Sequence, residues 1–197
     1  MCANRFTPWR LNRFSVSAGR RYTGTMHLLL LVLALVIPVP ALADELAGRV
    51  VAVGSGDTIT VLDGTQSRHE IKLVAVDAPE SRQPFAQASR KHLSDLVFGK
   101  DVGVAWTQRD QYGRIVGKVM VRPRGCPACR KTRDVGLAQL EAGLAWWYRE
   151  DRREQSLEDQ GRYEFAEFDT RTRRIGLWQH AAPVPPWEWR KKNRIAA

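Results

Sequence analysis

Three acidic residues stand at the ends of apolar runs or in the turns beside them: Asp57 after Gly54-Ser55-Gly56, then Asp77 and Glu80 on either side of Ala78-Pro79. Carboxylate oxygens gathered from separate turns make a site for a hard cation such as calcium, which takes oxygen donors. Aspartate is also ordinary turn chemistry, because its side chain bonds nearby backbone, so each of these residues taken singly has a second reading. Two basic residues change the balance. Lys72 lies inside an apolar run five residues before Asp77, and Arg114 follows Asp110-Gln111-Tyr112-Gly113 at the start of a later one. A phosphodiester under attack gathers negative charge on its oxygens. Its hydrolysis needs a cation, positive side chains on those oxygens, and a carboxylate that orients or deprotonates water. All three types are present.

Positioning these groups falls to short β-rich runs: Gly48 to Val53, Thr58 to Leu62 and Glu70 to Val76. Asp63-Gly64 between the second and third is a hairpin signal. The third run is nearly all apolar from Ile71 to Val76, which predicts burial on both faces with Lys72 the exception, and Pro79 stops it. Between Pro84 and Val97 the residues Phe85, Ala88, Leu93 and Leu96 fall near a 3.6 period, with His92 on the same face, so a first helix is expected there, ended by Gly99. Two more strand-like runs follow, Asp101 to Trp106 and Ile115 to Val121. Asp134 can cap a second helix through Leu140, with Gly143 beyond its end. Ser156 with Asp159 three residues on opens a third, which closes near Gly176. Five strands with a helix between the third and fourth suit an α+β, mainly β fold: a five-stranded Greek-key barrel of the oligonucleotide-binding type with three helices.

The ends of the chain read differently. Residues 1–43 carry five arginines and no acid, then an apolar run from Leu28 to Ile37, two prolines and Ala41-Leu42-Ala43. That is the layout of an export signal cleaved after Ala43, too short in its apolar run to span a membrane. The expected protein is therefore exported, to the periplasm or the medium, with a domain over residues 44–180 and no stable membrane association. Of 31 basic residues against 21 acidic ones, five leave with the leader, so the net charge falls from +10 to +5. A modest basic excess draws polyanions but serves solubility as often. The tail over residues 181–197 is proline-rich, with Trp187, Trp189 and several basic residues, and reads as irregular.

Cys126 and Cys129 share a Gly-Cys-Pro-Ala-Cys loop. In an oxidising compartment the expected outcome is a local disulfide. A thioredoxin-like site or a zinc site is a weaker alternative, lacking a following helix in the first case and further ligands in the second. His69, His92 and His180 show no ligand spacing. Trp146, Trp147 and Tyr148 can stack on bases or fill the core.

Gly56-Asp57-Thr58, the run Lys72 to Glu80, Tyr112-Gly113-Arg114, Gly143-Leu144-Ala145-Trp146 and Gly176-Leu177-Trp178 resemble, in order and at similar spacing, the pattern of the staphylococcal nuclease family. The resemblance runs from about Arg49 to Trp178. It implies a five-stranded barrel with three helices and cleavage of DNA and/or RNA with one calcium ion, and the chain is expected to act as a monomer. It further implies that Asp57, Asp77 and the carbonyl of Ala78 are ligands, that Glu80 activates water, and that Arg114 holds the phosphate. The products would carry 3′-phosphates. Lys72 stands where the family usually has a second arginine, keeping the charge and losing the planar fork. Ser55 replaces an acid often found there, which makes the cation site less negative. The alternative is a barrel that only binds nucleic acid, but binding alone has no use for acids beside the phosphate path.

Overall fold

Alternating apolar and polar side chains turn the chain into strands wherever one face can be buried. The computed structural model describes residues 44–195; the leader read at 1–43 lies outside them. In chain order the elements are β1 (Asp44–Val53), β2 (Thr58–Asp63), β3 (Arg68–Leu73), β4 (Val76–Asp77), α1 (Ala86–Val97), β5 (Asp101–Arg109), β6 (Ile115–Val121), β7 (Arg133–Asp134), α2 (Val135–Glu141), β8 (Trp146–Trp147), α3 (Leu157–Thr172) and α4 (Pro186–Ile195). Short 3-10 turns lie at Arg149–Glu154 and Gly176–Gln179.

Five strands close into the expected barrel. Neighbours run antiparallel in the order β3, β2, β1, β5, β6, and β6 returns parallel to β3 with Ile71 opposite Ile115 and Leu73 opposite Gly117. The inward-facing Ile59, Val61, Ile71, Leu73, Val102, Val104, Ile115 and Val119 are all buried. Each such side chain contributes about 1.5–3 kcal/mol. The β2–β3 hairpin forms at Asp63-Gly64 as the dipeptide signals, with Asp63 Oδ1 accepting from the backbone N–H groups of Thr65 and Ser67.

Three sequence expectations shift. The run from Glu70 to Val76 is not one strand: β3 ends at Leu73, Ala75 takes a left-handed φ of 52°, and Val76–Asp77 leaves the barrel to pair with Trp146–Trp147. That break is what carries Asp77 to the barrel rim. Helix α1 buries Ser89, Leu93 and Val97; of the expected stripe Leu93 is buried, Phe85 and Leu96 are half-buried, and Ala88 is exposed. His92 meets the Gln139 amide oxygen through Nδ1. Both other helices are capped as expected, by Asp134 accepting from Leu137 N–H at 3.1 Å and by Ser156 accepting from Asp159 N–H at 3.1 Å. The tail is not irregular. It forms α4, because Pro186 suits the first helical position and Glu188 then sits in the first turn.

No helix among the described residues is long and apolar enough to cross a membrane. The end of α2 is locked to the segment after α3 by two glycines. Gly143 and Gly176 have φ of 62° and 59°, Leu177 N–H donates to Gly143 O at 2.8 Å, and a Cβ on Gly176 would lie 2.1 Å from that carbonyl oxygen. Gly176→Ala is therefore expected to lower stability by roughly 2 kcal/mol or more, measured by chemical denaturation. An unchanged midpoint would show that this close approach is dispensable.

Candidate active site

Asp57 opens β2 from the tight turn before it. Gly56 is required there, because a Cβ would meet Ser89 Oγ at 1.9 Å. The Asp57 carboxylate is buried and fully bonded: Oδ1 accepts from Ser55 Oγ at 2.6 Å and Thr58 Oγ1 at 3.1 Å, Oδ2 from Lys72 Nζ at 2.5 Å and Ala78 N–H at 3.0 Å. Burial pushes this carboxyl up, and the Lys72 charge with the Lys72, Ser55 and Ala78 hydrogen bonds outweighs burial and holds it below the ordinary value. Ser55 thus removes a negative charge from the turn and gives back a donor.

Lys72 faces Thr58 across the β2–β3 pair and turns its ammonium to the rim. Besides Asp57 it donates to Val76 O at 2.5 Å and lies 3.9 Å from Asp77 Oδ1. One cationic centre is therefore shared by two carboxylates from separate elements. Asp77 is buried on β4, and burial pushes its carboxyl up, with the Asp57 charge adding to the rise against the pull of Arg190 and Lys72. Glu80 follows in the next turn, its backbone N–H donating to Gln83 Oε1 at 2.9 Å.

Arg114 is aimed by Asp110. Its Nε donates to Asp110 Oδ2 at 2.7 Å and its backbone N–H to Oδ1 at 3.0 Å, while the guanidinium lies 5.4 Å from the Tyr112 ring centroid. The Arg114 hydrogen bond, with those from backbone N–H groups, outweighs the upward push of burial and keeps Asp110 below the usual carboxylate range. Asp57, Lys72, Asp77, Ala78, Glu80 and Arg114 all line one cleft of about 880 Å³. The cleft also takes in Tyr148, one of the three aromatics read as able to stack on bases, and Arg90, Asp151 and Arg190, which the sequence did not point to. Of the aromatic trio, Trp146 and Trp147 are core, and only Tyr148 faces the cleft.

Arg190 is the largest omission from the sequence reading. From α4 its Nη1 donates to Glu80 Oε1 at 2.6 Å and Asp77 Oδ1 at 3.2 Å, and its Nη2 to Asp77 Oδ2 at 2.8 Å. The signal that could have found it is the helix start at Pro186 with Trp187 and Arg190 three residues apart on one face. Gln83 Nε2 donates to Val184 O at 2.6 Å, so one side chain ties both the Glu80 turn and the tail. Trp187 packs against the buried Trp146, Leu177 and Trp178, and lies 5.5 Å from the Tyr148 ring.

The donors fit a hard cation. They are oxygens only, and a positive centre already bridges Asp57 and Asp77. Among the described residues no three His, Cys, Asp or Glu side chains gather closely enough to cage an ion, so backbone or water oxygens would complete the set. Ala78 meets Asp57 through its N–H. Cys126 and Cys129 form a disulfide with Cα atoms 5.4 Å apart, in a loop that does not line the cleft.

Residues 70–180 match the family model described as staphylococcal nuclease homologue. An Escherichia coli protein named uncharacterized endonuclease is 38% identical over 154 residues, covering 78% of this chain and 91% of that one. A protein named micrococcal nuclease from Shigella flexneri is 36% identical over 163 residues, covering 82% of this chain and 90% of its own length.

Two outcomes are expected here. Lys72→Met strands Asp57 with less compensation and should destabilise the fold by roughly 3 kcal/mol, whereas adding Asp57→Asn should recover part of the loss. Denaturant melts of the single and double variants decide, and additive losses would contradict the pairing. Replacing both cysteines by serine opens only a four-residue loop, so stability should fall by about 2 kcal/mol or less with the cleft unaffected. A thermal melt reads this, and loss of the fold would contradict it.

Proposed function

The chain belongs to the staphylococcal nuclease family, and on that premise we propose that it is an exported, calcium-dependent nuclease that cuts DNA and/or RNA and leaves 3′-phosphate ends. The coarser part, hydrolysis of phosphodiester bonds by an endonuclease, is what the nuclease relatives support directly. The observation that carries the reading is the meeting of Asp57, Lys72, Asp77, Glu80 and Arg114 in one cleft from four separate stretches of chain.

The proposed roles follow from chemistry and place. Asp57 and Asp77, with the Ala78 carbonyl, hold the ion, which when bound supplies charge neutralisation to a phosphate oxygen. Glu80 is the one carboxylate of the three that is more than a third exposed, so it alone can meet water and accept its proton. Arg114 presents its outer nitrogens to the phosphate, the Nε edge being spent on Asp110. Its positive charge meets the charge that builds on the phosphorus oxygens and the departing 5′ oxygen. Lys72 contributes a single charge beside the same oxygens. In this proposal the protein acts as a monomer with no stable membrane association once its leader is removed.

A barrel that only binds nucleic acid is the second reading. Five carboxylates along the cleft disfavour it, because each repels a phosphate that a pure binder would want to attract.

Purified protein incubated with plasmid and with RNA should cleave in calcium and stop in chelator. Glu80→Gln should slow cleavage by about 10²–10⁴-fold and Arg114→Ala by about 10²–10³-fold. Gel assays of initial rate measure both. Binding without cleavage under every divalent ion would support the second reading instead.

A further inference from the structure

Lysine at 72 leaves β3 without a planar fork for two phosphate oxygens, yet a fork is present in the cleft. It comes from α4, ten residues beyond the segment that matches the family model. We infer that Arg190 is a phosphate-binding residue of this cleft, parked on Asp77 and Glu80 and turned to the anionic oxygens of the phosphodiester once a cation takes Asp77. The inference rests on the nuclease reading above.

Three observations carry it. First, the guanidinium spans both Asp77 oxygens and one Glu80 oxygen at 2.6–3.2 Å, the geometry by which arginine grips phosphate as readily as carboxylate. A cation bound to Asp77 competes for those same oxygens, so cation binding frees the fork beside Glu80, where the attacked phosphorus must lie.

Second, the charge balance requires it. The cleft is lined by five carboxylates, Asp57, Asp77, Glu80, Asp110 and Asp151, against four cations, Lys72, Arg90, Arg114 and Arg190. With a divalent ion the lining carries a net +1, and without Arg190 it would carry none. Only with Arg190 does the loaded cleft attract a phosphodiester by its net charge.

Third, the helix is seated rather than lying loose. Trp187, one turn before Arg190, is packed against Trp146, Leu177 and Trp178 and against Tyr148, and the Val184 carbonyl accepts from Gln83. The Arg190 side chain remains 41% exposed, so it can swing toward substrate without unseating α4.

The test is calorimetric titration of the wild type, Arg190→Gln and Arg190→Lys, first with calcium chloride and then, at saturating calcium, with a deoxynucleoside 3′,5′-bisphosphate. The expected result is a bisphosphate affinity about 10- to 100-fold weaker in Arg190→Gln, intermediate in Arg190→Lys, with calcium binding kept or tightened. Unchanged or tighter bisphosphate binding in Arg190→Gln would overturn the inference and make α4 a plug over the carboxylates. An equal loss of calcium affinity would overturn it too, as the mark of a support for the ion site. If the wild type cleaves nucleic acid while Arg190→Gln binds as it does, only the role of Arg190 falls. If the wild type binds no bisphosphate at any calcium concentration, the nuclease reading falls with it.

Discussion

Two carboxylates cannot both stay ionised when buried side by side at the rim of a barrel without a positive partner, since removing a charge from water costs several kcal/mol even after the protein relaxes. Asp57 and Asp77 meet that constraint through Lys72, whose ammonium contacts one at 2.5 Å and approaches the other at 3.9 Å. Much of the local architecture follows from holding these three together. The glycine turn presses Asp57 against Ser89, and Ser55, Thr58 and the Ala78 N–H fill the remaining lone pairs. The break at Ala75 lets Asp77 leave the barrel wall and anchor on Trp146. The cation of the proposed function would compete for oxygens that the protein's own basic side chains hold in this structure.

The parts of the site legible in the sequence are those set by local spacing. Asp57 was marked by its glycine turn, Asp77 and Glu80 by the proline between them, and Arg114 by the turn before its strand. Hydrophobic periodicity placed the five barrel strands, and capping residues placed α2 and α3, because both are written in a few consecutive residues. What periodicity could not show is a change of partner. The apolar run through Val76 has one pattern but two structures: Val74 N–H still donates to Gly117 O of β6, whereas Ala75 O accepts from Tyr148 N–H and Val76 pairs with Trp147 of β8. The Trp146 and Trp147 pair was equally compatible with stacking and with core, and burial decided for core.

Arg190 escaped for a different reason. It lies 113 residues from Asp77, and nothing local announces an ion pair across that distance. The prolines before it suggested an irregular tail, although the same prolines suit a helix start. Its contact with the carboxylates accompanies the long-range packing of Trp187 and the Gln83–Val184 hydrogen bond, which hold the tail against the barrel. The cleft thus has a wall from outside the barrel fold, contributed by Arg190 of α4.

In the proposed function Asp57 and Asp77 share one cation in exchange for the side chains that now hold them. A crystal structure of the protein grown in saturating calcium tests it most directly. It should show a single ion bonded to both carboxylates, with Lys72 Nζ and the Arg190 guanidinium withdrawn from the oxygens it occupies. An ion bound elsewhere, or both carboxylates still paired to Lys72 and Arg190 at saturation, would contradict the account.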